Sequence, residues 1–400
     1  MPTLGILGAG SMGAGIAQVA ATSGWQVLLA DVDSDAVNAA RERIGKHLAR
    51  GVEKGRMTQE EADATMANVV ASKSSDLESS NLFIEAIVED MDIKVNAMSP
   101  IAASLPSDSI IATNTSSLSV SEIGRRIGEP HRTCGMHFFN PAPIMKLVEV
   151  VRGDETHPDV LNRADDVASA WGKQVARCAD TPGFIVNRIA RPYYLEGFRC
   201  FEDGFAGAAD IDKAMKGIGG FRMGPLELTD FIGHDVNAAT TRSIWEQWSR
   251  PARLTPSAVQ EGLVAAGALG RKAGCGVYDW SGETPTVVLE PPNTLCELSG
   301  DLITLADAFC DAAAAEAMDE TWAPQQRFAF TRILSAVLNE ADWANRDGVA
   351  EPVDIDVAMQ AGVNYPRGPF KWRAQIGEAR VRDTLDALES LFGDGRFARP

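Results

Sequence analysis

The sequence predicts an α/β unit built on a parallel sheet, followed by a helical region that occurs twice. Three observations carry this prediction. A glycine-rich turn, Gly8-Ala9-Gly10-Ser11-Met12-Gly13, joins a strand-like apolar run to a helix-like run. Short apolar segments and helical segments then alternate to about residue 183, where the alternation stops. Finally, the stretch at 195–225 returns at 338–369 in constant register, with Gly204 matching Gly348, Met215 matching Met359 and Gly224-Pro225 matching Gly368-Pro369. The predicted domains are residues 1–183 (α/β), 184–285 (all-helical) and 295–400 (a second, degenerate copy of the helical domain), with a linker through Pro291-Pro292-Asn293-Thr294.

Thr3 to Leu7 reads as a buried strand, and the helix that follows ends near Gly24. The next strand, WQVLLAD, closes on Asp31. A glycine turn between strand and helix, followed by an acid at the end of the second strand, has the dinucleotide-binding context. Gly8 permits the turn, Gly10 lets the backbone approach a pyrophosphate and Gly13 allows close helix packing, so the phosphates meet the helix N-terminus. Asp31 accepts from the adenosine ribose hydroxyls and repels a 2'-phosphate. The first domain is therefore a Rossmann-type domain for NAD rather than NADP.

Residues 36–68 read as a polar helical excursion in which Lys46, Arg50 and Lys54 share one helix face. Two readings stay open there: a phosphate-binding patch, or a solvated face paired with Glu42 and Glu53. A strand within NLFIEAIVED carries Glu85, and a helix follows from about Asp92 to Leu105. SIIATNTSSL is a further strand, after which Ser119 and Glu122 form a capping box for the next helix. Asn114, Thr115, Ser116 and Ser117 thus fall at the carboxyl edge of the sheet, where ligands bind in this architecture. Glu85 and Asn114 are assigned, with the glycines and Asp31, to the cofactor. CGMHFF and KLVEVV make two more short strands, placing His137 at a strand end with Glu149 on the next strand.

The composition excludes several classes of function. The formal net charge is −18, with 37 basic and 55 acidic residues, which argues against nucleic acid as a partner. The six cysteines form no CxxC pair and stand at no ligand spacing with histidine, so neither a metal nor a disulfide framework is expected. No apolar run is long enough to span a bilayer. With no basic leader ahead of TLGILGAG, a cytoplasmic location is expected.

The glycine loop, Asn114–Ser117, His137-Phe138-Phe139-Asn140-Pro141, Lys146-Leu147-Val148-Glu149, Pro182-Gly183-Phe184-Ile185-Val186-Asn187-Arg188 and Gly276-Val277-Tyr278 together resemble the (S)-3-hydroxyacyl-CoA dehydrogenases of β-oxidation and related pathways. The similarity runs over about residues 3–280. It implies oxidation of a 3-hydroxyacyl thioester of coenzyme A. By the same resemblance His137 is the catalytic histidine, Glu149 orients it, Ser116 contacts the substrate oxygen and Asn187 positions the substrate. A CoA-contacting lysine matches Lys54, and a serine that the family places on the same helix falls at His47.

Elementary chemistry agrees with that implication. Oxidising a secondary alcohol requires removal of the hydroxyl proton as hydride leaves the carbon, and imidazole suits that exchange near neutrality. A carboxylate on its other nitrogen fixes the tautomer. Glu149 meets the requirement provided the two strands lie side by side. The expected substrate is short-chain 3-hydroxybutyryl-CoA, with 3-hydroxyadipyl-CoA of aromatic-acid breakdown as the alternative. Another NAD-dependent β-hydroxyacid dehydrogenase is the more distant rival, and it would place a lysine where this chain has Asn187 and Arg188. In the second helical copy Thr331 matches Asn187, Arg327 matches Gly183, and no glycine loop precedes it. That copy is expected to be structural, taking the place that a partner's helical domain occupies in single-copy relatives. The protein is expected to be a monomer or a homo-oligomer.

Overall fold

The run Thr3–Leu7 forms strand β1. Its side chains divide between two cores, Leu4 and Ile6 on one face of the sheet and Leu7 on the other, as expected of a pleated strand covered on both sides. In the computed structural model, which describes residues 1–289, 295–314 and 322–400, the chain continues through α1 (Ser11–Thr22), β2 (Gln26–Ala30), α2 (Ser34–Glu53), α3 (Gln59–Asn68), β3 (Val69–Ala71) and β4 (Leu82–Glu85). Next come α4 (Met91–Ser104), β5 (Ile110–Thr113), α5 (Val120–Arg126), β6 (Thr133–Phe138), β7 (Leu147–Arg152), α6 (Pro158–Ala170) and β8 (Gln174–Ala179).

These strands make one sheet in the order β3-β2-β1-β4-β5-β6-β7-β8. Neighbours are parallel except β6 and β7, which pair antiparallel. Strand order reverses at β1, which has β2 on one side and β4 on the other. The ligand crevice of such a sheet lies at the carboxyl ends of those strands, where the glycine turn and the loops after β4 and β5 emerge. The capping box expected at α5 is half formed. Ser119 Oγ accepts from Glu122 N at 3.1 Å, but the Glu122 side chain pairs with Arg125. Asp180 takes the remaining donors instead, from Ser119 Oγ, Val120 N and Ser121 N.

The later part of the chain is helical: α7 (Val186–Ile189), α8 (Arg191–Glu202), α9 (Ala208–Gly217), α10 (Pro225–Ile232), α11 (His234–Gln247) and α12 (Ala258–Ala265). After a short ribbon of β9 (Tyr278–Asp279) and β10 (Thr286–Val287) come α13 (Gly300–Ala313), α14 (Pro324–Arg346), α15 (Pro352–Val363), α16 (Pro369–Ile376) and α17 (Glu378–Phe392). The expected linker at 291–294 lies outside the described residues. The repeat is visible in the backbone. Helices α15, α16 and α17 begin at positions matching α9, α10 and α11, and the glycines joining the last two helices of each copy, Gly233 and Gly377, have φ of 102° and 95°.

Contacts group the chain into two units, Met1–Phe184 with Val349–Gly362, and Ile185–Gly348 with Val363–Pro400. The helical copies are thus not separate bodies. Long helix α14 packs on α8 and α9, and buried ion pairs across that packing are reciprocal. Arg188 binds Glu340 at 2.7 Å and Asp347 at 2.6 Å. Its counterpart Arg332 binds Glu196 and Asp203, both at 2.8 Å. Each arginine reaches the matching acids of the other copy, which is the contact pattern of a two-fold interface. The segment around α15 instead groups with the sheet, for a reason found at its edge. Strand β8 leaves outward-facing N–H groups, and these are satisfied by Val349 O, which accepts from Ala179 N at 2.8 Å, and by Asp354 Oδ1, which accepts from Arg177 N at 3.1 Å. Covering an edge strand in this way removes a template for unwanted pairing.

Among the described residues no group of His, Cys, Asp and Glu is arranged to hold a metal ion, and no helix is long and apolar enough to cross a membrane.

Candidate active site

His137 and Glu149 are cross-strand partners in the β6–β7 ladder. His137 Nδ1 lies 2.7 Å from Glu149 Oε2. A carboxylate only accepts, so Nδ1 carries the proton and Nε2 presents its lone pair. The pair is buried, His137 at 6% exposure and Glu149 at 0%. Phe139 and Phe184 flank the ring, with centroids at 4.6 and 5.7 Å. Phe184 reaches that position from a backbone φ of 47°, a region non-glycine residues seldom occupy. Neither phenylalanine was singled out by the sequence reading, although both lie inside its motifs.

The loop after β5 is organised by Glu89, another residue the sequence does not single out. Glu89 Oε1 accepts from Thr115 Oγ1 at 2.6 Å, Ser116 N at 2.9 Å, Ser117 Oγ at 2.9 Å and Ser117 N at 3.1 Å. The Ser116 hydroxyl stands at 3.4 Å, the longest contact of the set. Lys94 lies 3.3 Å from the other carboxylate oxygen. Burial works to raise the Glu89 pKa, but the Thr115 hydrogen bond, the Lys94 charge and the serine donors outweigh it and hold the carboxyl below its ordinary value. Asn114 Oδ1 accepts from Phe138 N at 2.9 Å, tying the end of β5 to the end of β6 beside His137.

Glu85 lies behind the loop. It was expected among the cofactor residues, but it is fully buried, and its oxygens are taken by Lys94 Nζ at 2.5 Å, Thr113 Oγ1 at 2.6 Å and Ile87 N at 2.7 Å. It supports the loop from behind, and the carboxylate that emerges is Glu89, four residues on.

The glycine turn fits a dinucleotide. Gly8 has φ 113° and packs against the Ala86 carbonyl, where a side chain would collide. A Cβ on Gly13 would strike the Gly8 carbonyl, whereas Gly10 faces open space, as backbone approach by a pyrophosphate requires. Asp31 Oδ2 accepts from Ala9 N at 2.7 Å. Arg43 Nη2 donates to Ala9 O at 2.7 Å. Lys46 and Arg50 on α2 and Lys54 at its C-cap are exposed, and among the described residues none has a carboxylate within ion-pair distance, so the pairings with Glu42 and Glu53 do not form. His47 Nδ1 instead meets Gln18 Oε1 at 2.9 Å.

In the helical unit Asn187 is half-buried between fully buried neighbours, and among the described residues its side-chain amide has no hydrogen-bond partner. Thr331, its counterpart, is fully buried, with its hydroxyl 3.5 Å from Ala306 O. Arg188 is sealed in ion pairs.

Comparison with known proteins agrees with these features. Residues 3–181 match the family "3-hydroxyacyl-CoA dehydrogenase, NAD binding domain", and residues 183–280 and 328–400 both match "3-hydroxyacyl-CoA dehydrogenase, C-terminal domain". The chain is 37% identical to the 3-hydroxyadipyl-CoA dehydrogenase of Escherichia coli, over 99% of its own length and 95% of that protein's. It is 36% identical to a 3-hydroxybutyryl-CoA dehydrogenase of Mycobacterium tuberculosis, over 69% of its own length and 98% of the relative's. Among solved structures, a 3-hydroxybutyryl-CoA dehydrogenase from Escherichia coli superposes with a TM-score of 0.88 at 36% identity, covering 100% of this chain and 96% of that one. The chain belongs to the 3-hydroxyacyl-CoA dehydrogenase family, and its reaction is the NAD-dependent oxidation of a 3-hydroxyacyl-CoA.

Proposed function

We propose that the substrate is (S)-3-hydroxyadipyl-CoA, oxidised to the 3-keto thioester, with His137 as the base. The observation that carries the substrate choice is the match to a protein named 3-hydroxyadipyl-CoA dehydrogenase over 99% of this chain, both helical copies included. Relatives named 3-hydroxybutyryl-CoA dehydrogenase in several bacteria match 69–70% of the chain. In this reading His137 Nε2 takes the hydroxyl proton, and Glu149 holds the ring and stabilises its protonated form. Ser116, on the loop fixed by Glu89, and Asn187 donate to substrate oxygens. Gly8, Gly10, Gly13 and Asp31 hold NAD, which supplies the acceptor for the C3 hydride, and Asn114 shapes the adjoining sheet edge. Lys46, Arg50 and Lys54 receive the phosphates of CoA. In the reverse direction His137 returns the proton.

A second reading, 3-hydroxybutyryl-CoA as substrate, is favoured by the name of the Escherichia coli protein whose structure covers the whole chain. Comparing kcat/KM for the two thioesters at saturating NAD separates them. We expect the adipyl substrate to be preferred by about tenfold or more, the effect of one charged hydrogen-bonded contact. Equal or higher efficiency with the butyryl substrate contradicts the first reading.

A further inference from the structure

Arginine is costly to bury without an acid, and the helical unit buries four among the described residues: Arg188, Arg191, Arg199 and Arg332. Three have carboxylates. Arg188 has Glu340 and Asp347, Arg199 has Glu196, and Arg332 has Glu196 and Asp203. Arg191 is the exception. It is 4% exposed. Its Nε donates to Asn187 O at 2.8 Å, and its Nη1 donates to Asn237 O at 3.3 Å and Thr241 Oγ1 at 3.2 Å. The guanidinium lies 4.9 Å from the Tyr194 ring centroid. All of these neighbours are neutral. Among the described residues no carboxylate stands within ion-pair distance, and Nη2 has no acceptor. Burial lowers the Arg191 pKa, and only Tyr194 and Tyr365 act against it. Nearby, the Asn237 Nδ2 donor is also buried without a partner.

The internal repeat shows which of these charges recur. The Arg188, Glu196 and Asp203 set recurs in the second copy as Arg332, Glu340 and Asp347, so that network is kept wherever the helices must pack. Asn187 and Arg191 are both lost there, becoming Thr331 and Ser335. Arg191 is thus lost together with the substrate-positioning asparagine, while the Arg188–Arg332 position is kept; Arg199, which pairs with Glu196, is also replaced, by Trp343.

We propose that Arg191 is a specificity-determining residue that receives the distal carboxylate of a 3-hydroxydicarboxylyl-CoA; this rests on the dicarboxylic substrate and the Asn187 role given above. Arg191 follows Asn187 by four residues, just over one helical turn and an advance of about 6 Å, which suits the short methylene spacer between C3 and the terminal carboxylate of an adipyl chain. The planar guanidinium can bind that carboxylate through paired N–H donors. A butyryl chain ends one carbon beyond C3 and brings no anion, leaving the buried charge uncompensated.

The test is kcat/KM of the full chain with 3-hydroxyadipyl-CoA and 3-hydroxybutyryl-CoA at saturating NAD, for wild type, R191Q and R191K. The readout is the ratio of the two efficiencies, which is independent of the fraction of active protein, so impaired folding does not mask it. We expect R191Q to lower the adipyl-to-butyryl ratio on the order of 10- to 100-fold, mainly through KM for the adipyl substrate, and R191K to restore part of it. If the wild type prefers the adipyl substrate and R191Q lowers both efficiencies by the same factor, Arg191 is structural and the assignment fails while the substrate reading stands. If the wild type shows no preference, the substrate reading itself fails.

Discussion

Glu149 stands opposite His137 on the neighbouring strand, so a single backbone ladder sets both ends of the Nδ1–Oε2 bond. The tautomer then follows from the carboxylate having no proton to give. Asp31 shows the same economy, since its Oδ2 anchors the Ala9 amide of the glycine turn while its charge stands at the end of β2, where the ribose hydroxyls are expected. Replacing Asp31 with Ala should weaken NAD and raise the ratio of NADP to NAD efficiency on the order of tenfold, because the group that repels a 2'-phosphate is gone. Steady-state kinetics with both cofactors check this, and an unmoved ratio places Asp31 away from the ribose. His137, Glu149 and the glycine turn were legible in the sequence because reactive side chains and glycines stand out at strand ends. Glu85 and Glu89 were not separable that way. They lie four residues apart on one strand and its loop, and only packing decides which carboxylate Lys94 and Thr113 seal inside. Phe184 was hidden for a different reason, since its contribution is a contact made from an unusual backbone angle.

The helices explain why the chain carries two copies. The α7–α8 segment and α14 meet through Arg188 with Glu340 and Arg332 with Glu196, all buried, so each copy neutralises the other's charge. Burial alone would raise the Glu196 carboxyl, but Arg332, Arg199 and Arg396 outweigh it and hold it at about 2. A depressed carboxylate contributes stability above its unfolded pKa of about 4.3, and that stability is lost as pH falls toward the folded value. The stability gap between wild type and Glu196→Gln should therefore be large at neutral pH and shrink progressively below about pH 4. Thermal unfolding of both proteins across that range tests it, and a constant gap shows that the charge is not what matters. The repeat register was readable from glycines and acids at one offset, whereas its reciprocal pairing was not, because sequence does not say which copy an arginine faces. Strands β3 and β8 also escaped the sequence reading. One is only three residues long, and the other is an edge strand whose burial alternates weakly. The grouping of α15 with the sheet follows from that edge and has no local signature.

For the chain as a whole, the second copy acts as packing partner and edge cover, without a dinucleotide turn of its own. A chain ending at residue 285 should leave Arg188 and the α8 face uncovered, and should dimerise or aggregate when its mass is measured in solution. A well-folded monomer would contradict this account of the duplication. The buried Thr331 hydroxyl sits where Asn187 is half-buried in the first copy. The most direct measurement is NADH formation from 3-hydroxyadipyl-CoA at saturating NAD by the wild-type chain and by His137→Ala, with NAD affinity determined in parallel. Turnover is expected to be lower by roughly 10²- to 10⁴-fold in the variant, with NAD affinity nearly unchanged. Near-normal turnover in His137→Ala would contradict the role of His137 as the base.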